Sequence, residues 1–362
     1  MIVVIAACAR PYAVAGARAG YQVAALDAFN DAETRRFCVQ SLVVKYADGG
    51  FDADDVWQKL SLLENVEAVI EAIVYGSGLE NQPELLENIA AHYPLLGNSA
   101  AVVARVKHPP SFFALLDQFH IAHPSVQYTP PSADGWLIKA AGGSGGTHIR
   151  ASGQAQTGDY FQRKIEGKPV SVLFLADGER VRIVGFNEQW CAPTPAMPYR
   201  YGGAVSQAEL SENAKAQMVQ AVQQLTAHLA LRGLNSLDFI LAGDAALALE
   251  INPRLSATFD LYGNLFEHHL QACKGMLMPL SVVIEAKAHV IVYAAHHLHV
   301  PESFVWPDWV VDTPLDAVLK NQPLCSVLAS AADANTAKAL AFARASQLEA
   351  QLASFYSLED PP

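Results

Sequence analysis

The sequence predicts a mixed α/β and α+β protein. A doubly wound domain opens the chain, an antiparallel middle follows, and a small α/β unit closes it. Three observations carry this. Strand and helix patterns alternate through the first 98 residues. Hairpin-like strands with turn residues between them then take over. The chain has 362 residues, half of them hydrophobic, which is too much for one ordinary core.

The first strand is "IVVIAA", an apolar run from Ile2. "PYAVAGARAG" is a helix, with Pro11 near its start and Gly20 at its end. "YQVAALD" is a second strand ending at Asp27, and "VEAVIEAIVYGS" runs from helix or loop into another. "QPELLENIAAHY" has leucines at helical spacing. Strands separated by crossover helices imply a parallel sheet. Such domains often bind dinucleotides, but the turn after strand one, "AACARPYA", has no glycine and lacks the close-approach fingerprint. A nicotinamide-dependent oxidoreductase is therefore disfavoured.

Residues 99–125 read as a linker and helix pair, punctuated by Pro109, Pro110 and Pro124. "GWLIKAAGGSGGTHIRA" reads as strand, glycine loop, strand. "YFQRKIEGKPVSVLFLADGERVRIVGFNEQW" continues as antiparallel strands, and "SENAKAQMVQAVQQLTAHLALRG" is a long helix ending at Gly233. The last stretch adds strands in "AHVIVYAAHH" and "PLCSVLASA", then the helix "NTAKALAFARASQLEAQLA".

A net charge of −12 argues against a nucleic-acid partner. It leaves room for a nucleotide, which needs only local positive groups. Cys8, Cys38, Cys191, Cys273 and Cys325 are dispersed, with no CxxC pair. That pattern points to reduced thiols and a cytosolic setting. The short apolar start lacks a basic region and reads as a strand, and no run reaches membrane-span length.

The chemistry centres on "LALEINPRLSAT", Leu247 to Thr258. An apolar strand does not bury Glu250 and Asn252 on one face without compensation. "LDFILAGDAALALEIN" reads as a hairpin turning at Gly243 and Asp244. A strict two-residue turn pairs Asp238 with Leu249. A three-residue loop from Gly243 to Ala245 pairs Asp238 with Glu250. In that register Asp238, Glu250 and Asn252 share a face and form a hard-oxygen set of the kind that holds magnesium beside phosphates. A solvent-facing edge with ordinary polar residues is the alternative.

Lys139 precedes four glycines in five positions, Gly142, Gly143, Gly145 and Gly146, whose backbone N–H groups could wrap phosphate oxygens. The Walker pattern is absent. Lys107 precedes a Pro-Pro and a helix, and "FQRKIEGKPVSV" has the cadence of a segment joining two lobes.

Lysine, lysine before a glycine loop, Gln-x-x-Ile-x-Gly, then Asp…Glu-x-Asn occur in one order. This order resembles the ATP-grasp superfamily over nearly the whole chain, with "EINPR" as its most specific motif. The chain is especially similar to a branch of ATP-dependent carboligases, through "GYQVAALDAFND", "YGSGLENQPELL", "LLGNS", "YRYGGAVS" and "EINPRLSATFDL". The resemblance implies an ATP-grasp fold with a Rossmann-like pre-ATP-grasp domain over 1–98. It implies a two-lobed ATP-grasp domain over 99–278 and a C-terminal α/β subdomain over 279–362.

It also implies roles. Lys107 and Lys139 hold ATP phosphates, and Gly142, Gly143, Gly145 and Gly146 close over them. Gln162, Lys164 and Ile165 belong to the adenine-contacting segment, where the family is usually acidic and Gln162 departs from it. Asp238, Glu250 and Asn252 hold Mg2+ or Mn2+. Arg254 lies near the transferred phosphate or the substrate carboxylate, and with Lys139 makes up the catalytic pair. The activity implied is ADP-forming carboxylate–amine or carboxylate–thiol ligation through an acyl phosphate. Ligases joining glutamate to an amine in methanofuran-type one-carbon cofactor pathways look similar. A non-catalytic ATP-binding sensor or assembly protein is the alternative. The partners expected are a small carboxylate and an amine, with no nucleic acid or membrane, and a homodimer as an allowed assembly.

Further candidates remain open. Glu80, past a strand's carboxyl end, is a substrate-site candidate. Tyr199, Arg200 and Tyr201 either line a substrate pocket or pack a surface loop. His148 either touches phosphate or is a plain loop residue. His296 and His299 lack the cysteine or carboxylate partners a metal site needs.

Overall fold

A computed structural model of the chain describes residues 1–64, 69–263, 265–281 and 283–355. The sequence segment at Val66 to Ala68, read as helix or loop, lies outside the described residues.

The N-terminal domain alternates as expected. It runs β1 (Ile2–Ala6), α1 (Arg10–Arg18), β2 (Val23–Asp27), α2 (Ala32–Phe37), β3 (Gln40–Val43), a small hairpin β4 (Tyr46–Ala47) and β5 (Gly50–Phe51), α3 (Ala53–Glu64), β6 (Ala72–Tyr75), α4 (Pro83–His92) and β7 (Leu95–Leu96). The sheet is parallel throughout, in the order β3-β2-β1-β6-β7. β1, β2 and β6 are buried along their full length, which is why each reads as an unbroken apolar run. The chain reverses direction across the sheet between β1 and β6. Loops leaving the carboxyl ends there flank a crevice, and Glu80 follows β6.

Two helices, α5 (Ala100–Lys107) and α6 (Pro109–Gln118), lead into the middle. Ser99 caps α5 by accepting from Val102 N, and Pro109 opens α6. A small sheet follows, built from β8 (Val126–Gln127), β9 (Trp136–Ala140), β10 (Ile149–Arg150) and β11 (Asp159–Arg163), in the order β10-β9-β11-β8. Then come β12 (Lys168–Asp177), β13 (Val181–Cys191), β14 (Tyr201–Ser206), α7 (Glu212–Leu229), β15 (Arg232–Ala242), β16 (Ala245–Asn252), a 3-10 turn over Ala257–Tyr262, and α8 (Phe266–Cys273).

The chain closes with β17 (Ala286–Tyr293), β18 (Val310–Val311), β19 (Pro323–Ala331) and α9 (Ala334–Leu352). These last strands join the preceding ones in one eight-stranded antiparallel sheet, β16-β15-β12-β13-β14-β17-β19-β18. The sheet therefore runs across residue 279. One apolar layer lies between its first strands and α6 and α7, with Phe112, Phe113, Met218, Val222 and Phe239 buried together. Another fastens α1 and α8 to the opposite face.

Two local expectations are corrected. The long helix ends at Leu229, not at Gly233. Ala230 takes the left-handed conformation that stops it, at φ 52°, and Gly233 instead lies within β15 at φ 67°. A Cβ on Gly233 would sit 2.6 Å from the His269 ring, so glycine serves close packing there. The hairpin does pair Asp238 with Glu250, but by another route. Ala242 pairs Ala245, so the turn is the two-residue Gly243–Asp244. A bulge at Leu249 then shifts the register by one.

Candidate functional site

The bulge decides what the hairpin can do. Without it Glu250 would fall on the opposite face from Asp238. With it, Asn252 Nδ2 donates to Asp238 Oδ2 at 2.9 Å, and Gln189 Nε2 on β13 donates to Asp238 Oδ1 at 3.2 Å. Lys107, at the end of α5, reaches across. Its Nζ lies 3.5 Å from Glu250 Oε2 and 3.2 Å from Asn252 Oδ1. Burial and the neighbouring Glu250 push the Asp238 carboxyl up. Burial also opposes ionisation of Glu250, but Lys107, His148 and Lys139 outweigh it and hold its pKa down.

Arg254 follows two residues later. Its Nε donates to Glu80 Oε1 at 2.6 Å and its Nη2 to Asn252 Oδ1 at 3.1 Å. Glu80 is buried and also accepts from Gly78 N at 2.6 Å. Burial works against the charge on Glu80, yet Arg254 and Lys107 keep its pKa below the ordinary value. Glu80 is thus brought to the hairpin from the N-terminal domain. What it meets there is an arginine already engaged with the oxygen set.

The opposite wall comes from the small sheet. Lys139 on β9 and Gln162 on β11 are both almost fully buried, and Lys139 Nζ donates to Gln162 Oε1 at 2.8 Å. Burial depresses the Lys139 pKa, with Glu250 and Asp238 pulling the other way. The ammonium fixes the amide's orientation, since only the oxygen can accept. Gln162 Nε2 is therefore turned away from Lys139, and it is buried without a partner. Ile165 is half-buried in the link from β11 to β12, whereas Lys164 Nζ extends into solvent and pairs with Glu166 at 2.8 Å.

The glycine loop joins β9 to β10. Lys107, Gly142, Gly143, His148, Tyr160 and Glu250 line a narrow cleft there, together with Phe112 and Phe113. A Cβ on Gly142 would press on Asn81 at 3.0 Å, and one on Gly146 would lie 1.9 Å from the Tyr199 carbonyl oxygen. Tyr201 N donates to Gly145 O at 2.9 Å. The Tyr199–Tyr201 segment thus holds the loop by its backbone. Arg200 points elsewhere: it donates to the Ala192 and Asn321 carbonyls and stacks over Tyr293 at 3.5 Å.

Sequence reasoning missed Gln189, which enters through sheet order alone, and Asn81, which touches the loop from the N-terminal domain. It also missed Arg10, which pairs with Asp260 at 2.6 Å and Asp312 at 2.7 Å, linking the end of β1 to the C-terminal strands. Among the described residues the one close trio of histidine, cysteine or carboxylate groups is Cys8, Asp31 and Asp312. His296 and His299 form no such group there.

Fold and cleft together define a class. Residues 111–258 match the family model of the ATP-grasp domain, and the chain has the ATP-grasp fold. No curated protein matches the chain. Among solved structures it is similar to biotin carboxylase from Campylobacter jejuni in a β,γ-ATP complex, with TM-score 0.71 and 13% identity over 93% of this chain and 89% of that one. It is similar to N5-carboxyaminoimidazole synthetase from Staphylococcus aureus with ADP, at TM-score 0.68 and 13% identity, covering 95% and 96%. It is also similar to the biotin carboxylase domain of Hydrogenobacter thermophilus 2-oxoglutarate carboxylase with MgADP and bicarbonate, at TM-score 0.68 and 13% identity, covering 91% and 86%. At these identities the likeness is one of fold.

Proposed function

We propose that the chain is an ATP-dependent, ADP-forming ligase that joins a small carboxylate to an amine. The observation that supports this most is the cleft itself. Beside the cleft that Lys107 and Glu250 line lie the buried Lys139–Gln162 pair and the oxygen set of Asp238, Glu250 and Asn252. The unpartnered buried donor Gln162 Nε2 suits an acceptor-rich ligand. Two carboxylates and an amide oxygen suit a hard divalent cation such as Mg2+ or Mn2+. Such an ion, when bound, would neutralise phosphate charge between the two walls. The similar structures named above hold ATP-type nucleotide, ADP or MgADP.

On this reading Lys107 and Lys139 hold the phosphates, and the glycine loop covers them. Gln162, Ile165 and the Lys164 backbone frame the base. Arg254, kept charged by Glu80 against the cost of burial, faces the developing charge of phosphoryl transfer. The substrate carboxylate oxygen attacks the γ-phosphorus and ADP leaves. The amine attacks the resulting acyl phosphate, phosphate leaves, and a proton is released. Positioning and charge neutralisation suffice, without a strong base on carbon. Glutamate and an aromatic amine, as in methanofuran-type one-carbon cofactor assembly, are the first pair to try.

The test is nucleotide product analysis with magnesium, ATP and mixed carboxylates and amines. ADP that appears only with a particular acid and amine is expected. AMP overturns the acyl-phosphate step. Nucleotide binding without either product from any pool favours a non-catalytic ATP-binding sensor instead.

A further inference from the structure

Gln162 has one atom with no assigned partner. Its Oε1 accepts from Lys139 Nζ at 2.8 Å, and its Nε2 is buried and unmet, in a residue only 2% exposed. A donor unmet at such depth is unfavourable unless a bound group accepts from it. The lysine settles which end of the amide is which, since an ammonium cannot accept. An acidic side chain here would have no N–H to offer.

Strand geometry decides what the donor meets. Tyr160 pairs with Lys139 and Gln162 with Leu137 across β11 and β9, so Tyr160, Gln162 and Lys139 project from one face. Tyr160 lines the cleft with Gly142 and Glu250. The glycine loop leaves β9 after Ala140, which pairs with Asp159. Each step from Asp159 to Gln162 therefore moves away from that loop. Gln162 lies about 7 Å beyond Tyr160, toward the link to β12. With the loop over the phosphates and the link beside the base, Gln162 stands at the junction of the two. N7 is the purine ring acceptor nearest the phosphates of an anti nucleotide, and a glutamine amide is a regular partner of that edge.

We infer that Gln162 Nε2–H donates to N7 of the bound purine nucleotide, so that this amide reads the base and the lysine behind it is left to the phosphates. The inference rests on the nucleotide reading of the cleft. It gives the glutamine, where an acidic residue is usual, a task that a carboxylate could not perform.

Calorimetric binding of ADP and of 7-deaza-ADP, each with magnesium, tests it on the full chain, because the analogue has C–H in place of N7. Wild type should bind ADP about tenfold more tightly, as a buried donor left unmet by the analogue implies. Gln162→Glu keeps an oxygen for Lys139 and removes the N–H. In it the preference for ADP should shrink to within about twofold. Gln162→Met serves in its place if a buried carboxylate unfolds the chain. Wild type that binds the two ligands alike overturns the inference, and that arm needs no variant. A tenfold preference kept in folded Gln162→Glu overturns it too, since Lys139 and not the amide would then read N7. Wild type that binds neither ligand removes the nucleotide reading itself, an outcome separable from the others.

Discussion

Two polar regions lie on either side of "EINPR", and they are finished differently. At the seam with the N-terminal domain Asn98, Tyr75 and His269 are each met. Asn98 offers Nδ2 to the Asn235 side chain and the Pro253 carbonyl, and its Oδ1 accepts from Arg232 N. Tyr75 donates to the Asn98 carbonyl at 2.8 Å. His269 accepts from Leu234 N at Nδ1 and donates to Leu96 O from Nε2. Across the hairpin, in and beside the cleft, His148 Nδ1 and Gln162 Nε2 are buried and unmet. The same chain closes one network fully and leaves the other open. A satisfied network fastens domains, whereas an open one marks where something else binds.

The comparison can be broken most sharply at Glu250. Glu250→Ala should cut magnesium-dependent ADP formation by about 10²- to 10³-fold, the scale of one electrostatic group lost from a transition state. Its circular dichroism should stay that of the wild type. Wild-type turnover would remove the hairpin from the chemistry.

Glu80 belongs to both regions, and Glu80→Ala leaves Arg254 buried beside nothing of opposite charge at Nε. A destabilisation of about 3 kcal/mol is expected in urea unfolding. An unchanged midpoint would show that the pair is not a fastening.

The seam should also respond to acid. His269 is buried and neutral, and burial lowers its pKa to about 4, below the value near 6.5 of an unfolded histidine. Between those values the unfolded chain binds the extra proton. Stability contributed by His269 is therefore full above about pH 6.5 and is lost as pH falls toward about 4, on the order of 3 kcal/mol. Urea midpoints measured across that window should fall less in His269→Gln. Identical slopes would locate the acid sensitivity elsewhere.

Gly143→Ala drives a methyl group into the His148 ring, and Gly145→Ala strains a residue at φ 63°. Each should weaken nucleotide binding by about tenfold, since left-handed or crowded positions cost on the order of 1 kcal/mol. Lys164→Ala should be the least eventful, because its pair with Glu166 is exposed and screened by solvent. A change in nucleotide affinity beyond about twofold there would mean that the Lys164 side chain, not its backbone, meets the ligand.

What the sequence disclosed depended on distance along the chain. Buried parallel strands such as β1 and β6 were legible because both faces are apolar. The pairing of Asp238 with Glu250 was reached through a three-residue loop that the hairpin does not have, and the bulge at Leu249 that produces it was not legible, since a bulge has no fixed residue signature. The end of the long helix was misplaced because Gly233 looked like a stop, and Ala230 did that work at a positive φ. Glu80 and Arg254 are 174 residues apart, so no periodicity could pair them. Gln189 reaches Asp238 only because β12 lies between their strands.

The eight-stranded sheet has a mechanical consequence. β14 is hydrogen-bonded to both β13 and β17, so the C-terminal strands cannot swing against the Asp238–Glu250 hairpin without tearing a ladder. The four-stranded sheet carrying Lys139 and the glycine loop shares no ladder with it. It is tethered in sequence by the stretch after α6 and by the four residues between β11 and β12. The molecule thus has a stiff anvil and a lighter jaw, which meets the anvil through Tyr201 N and Gly145 O and not through a ladder.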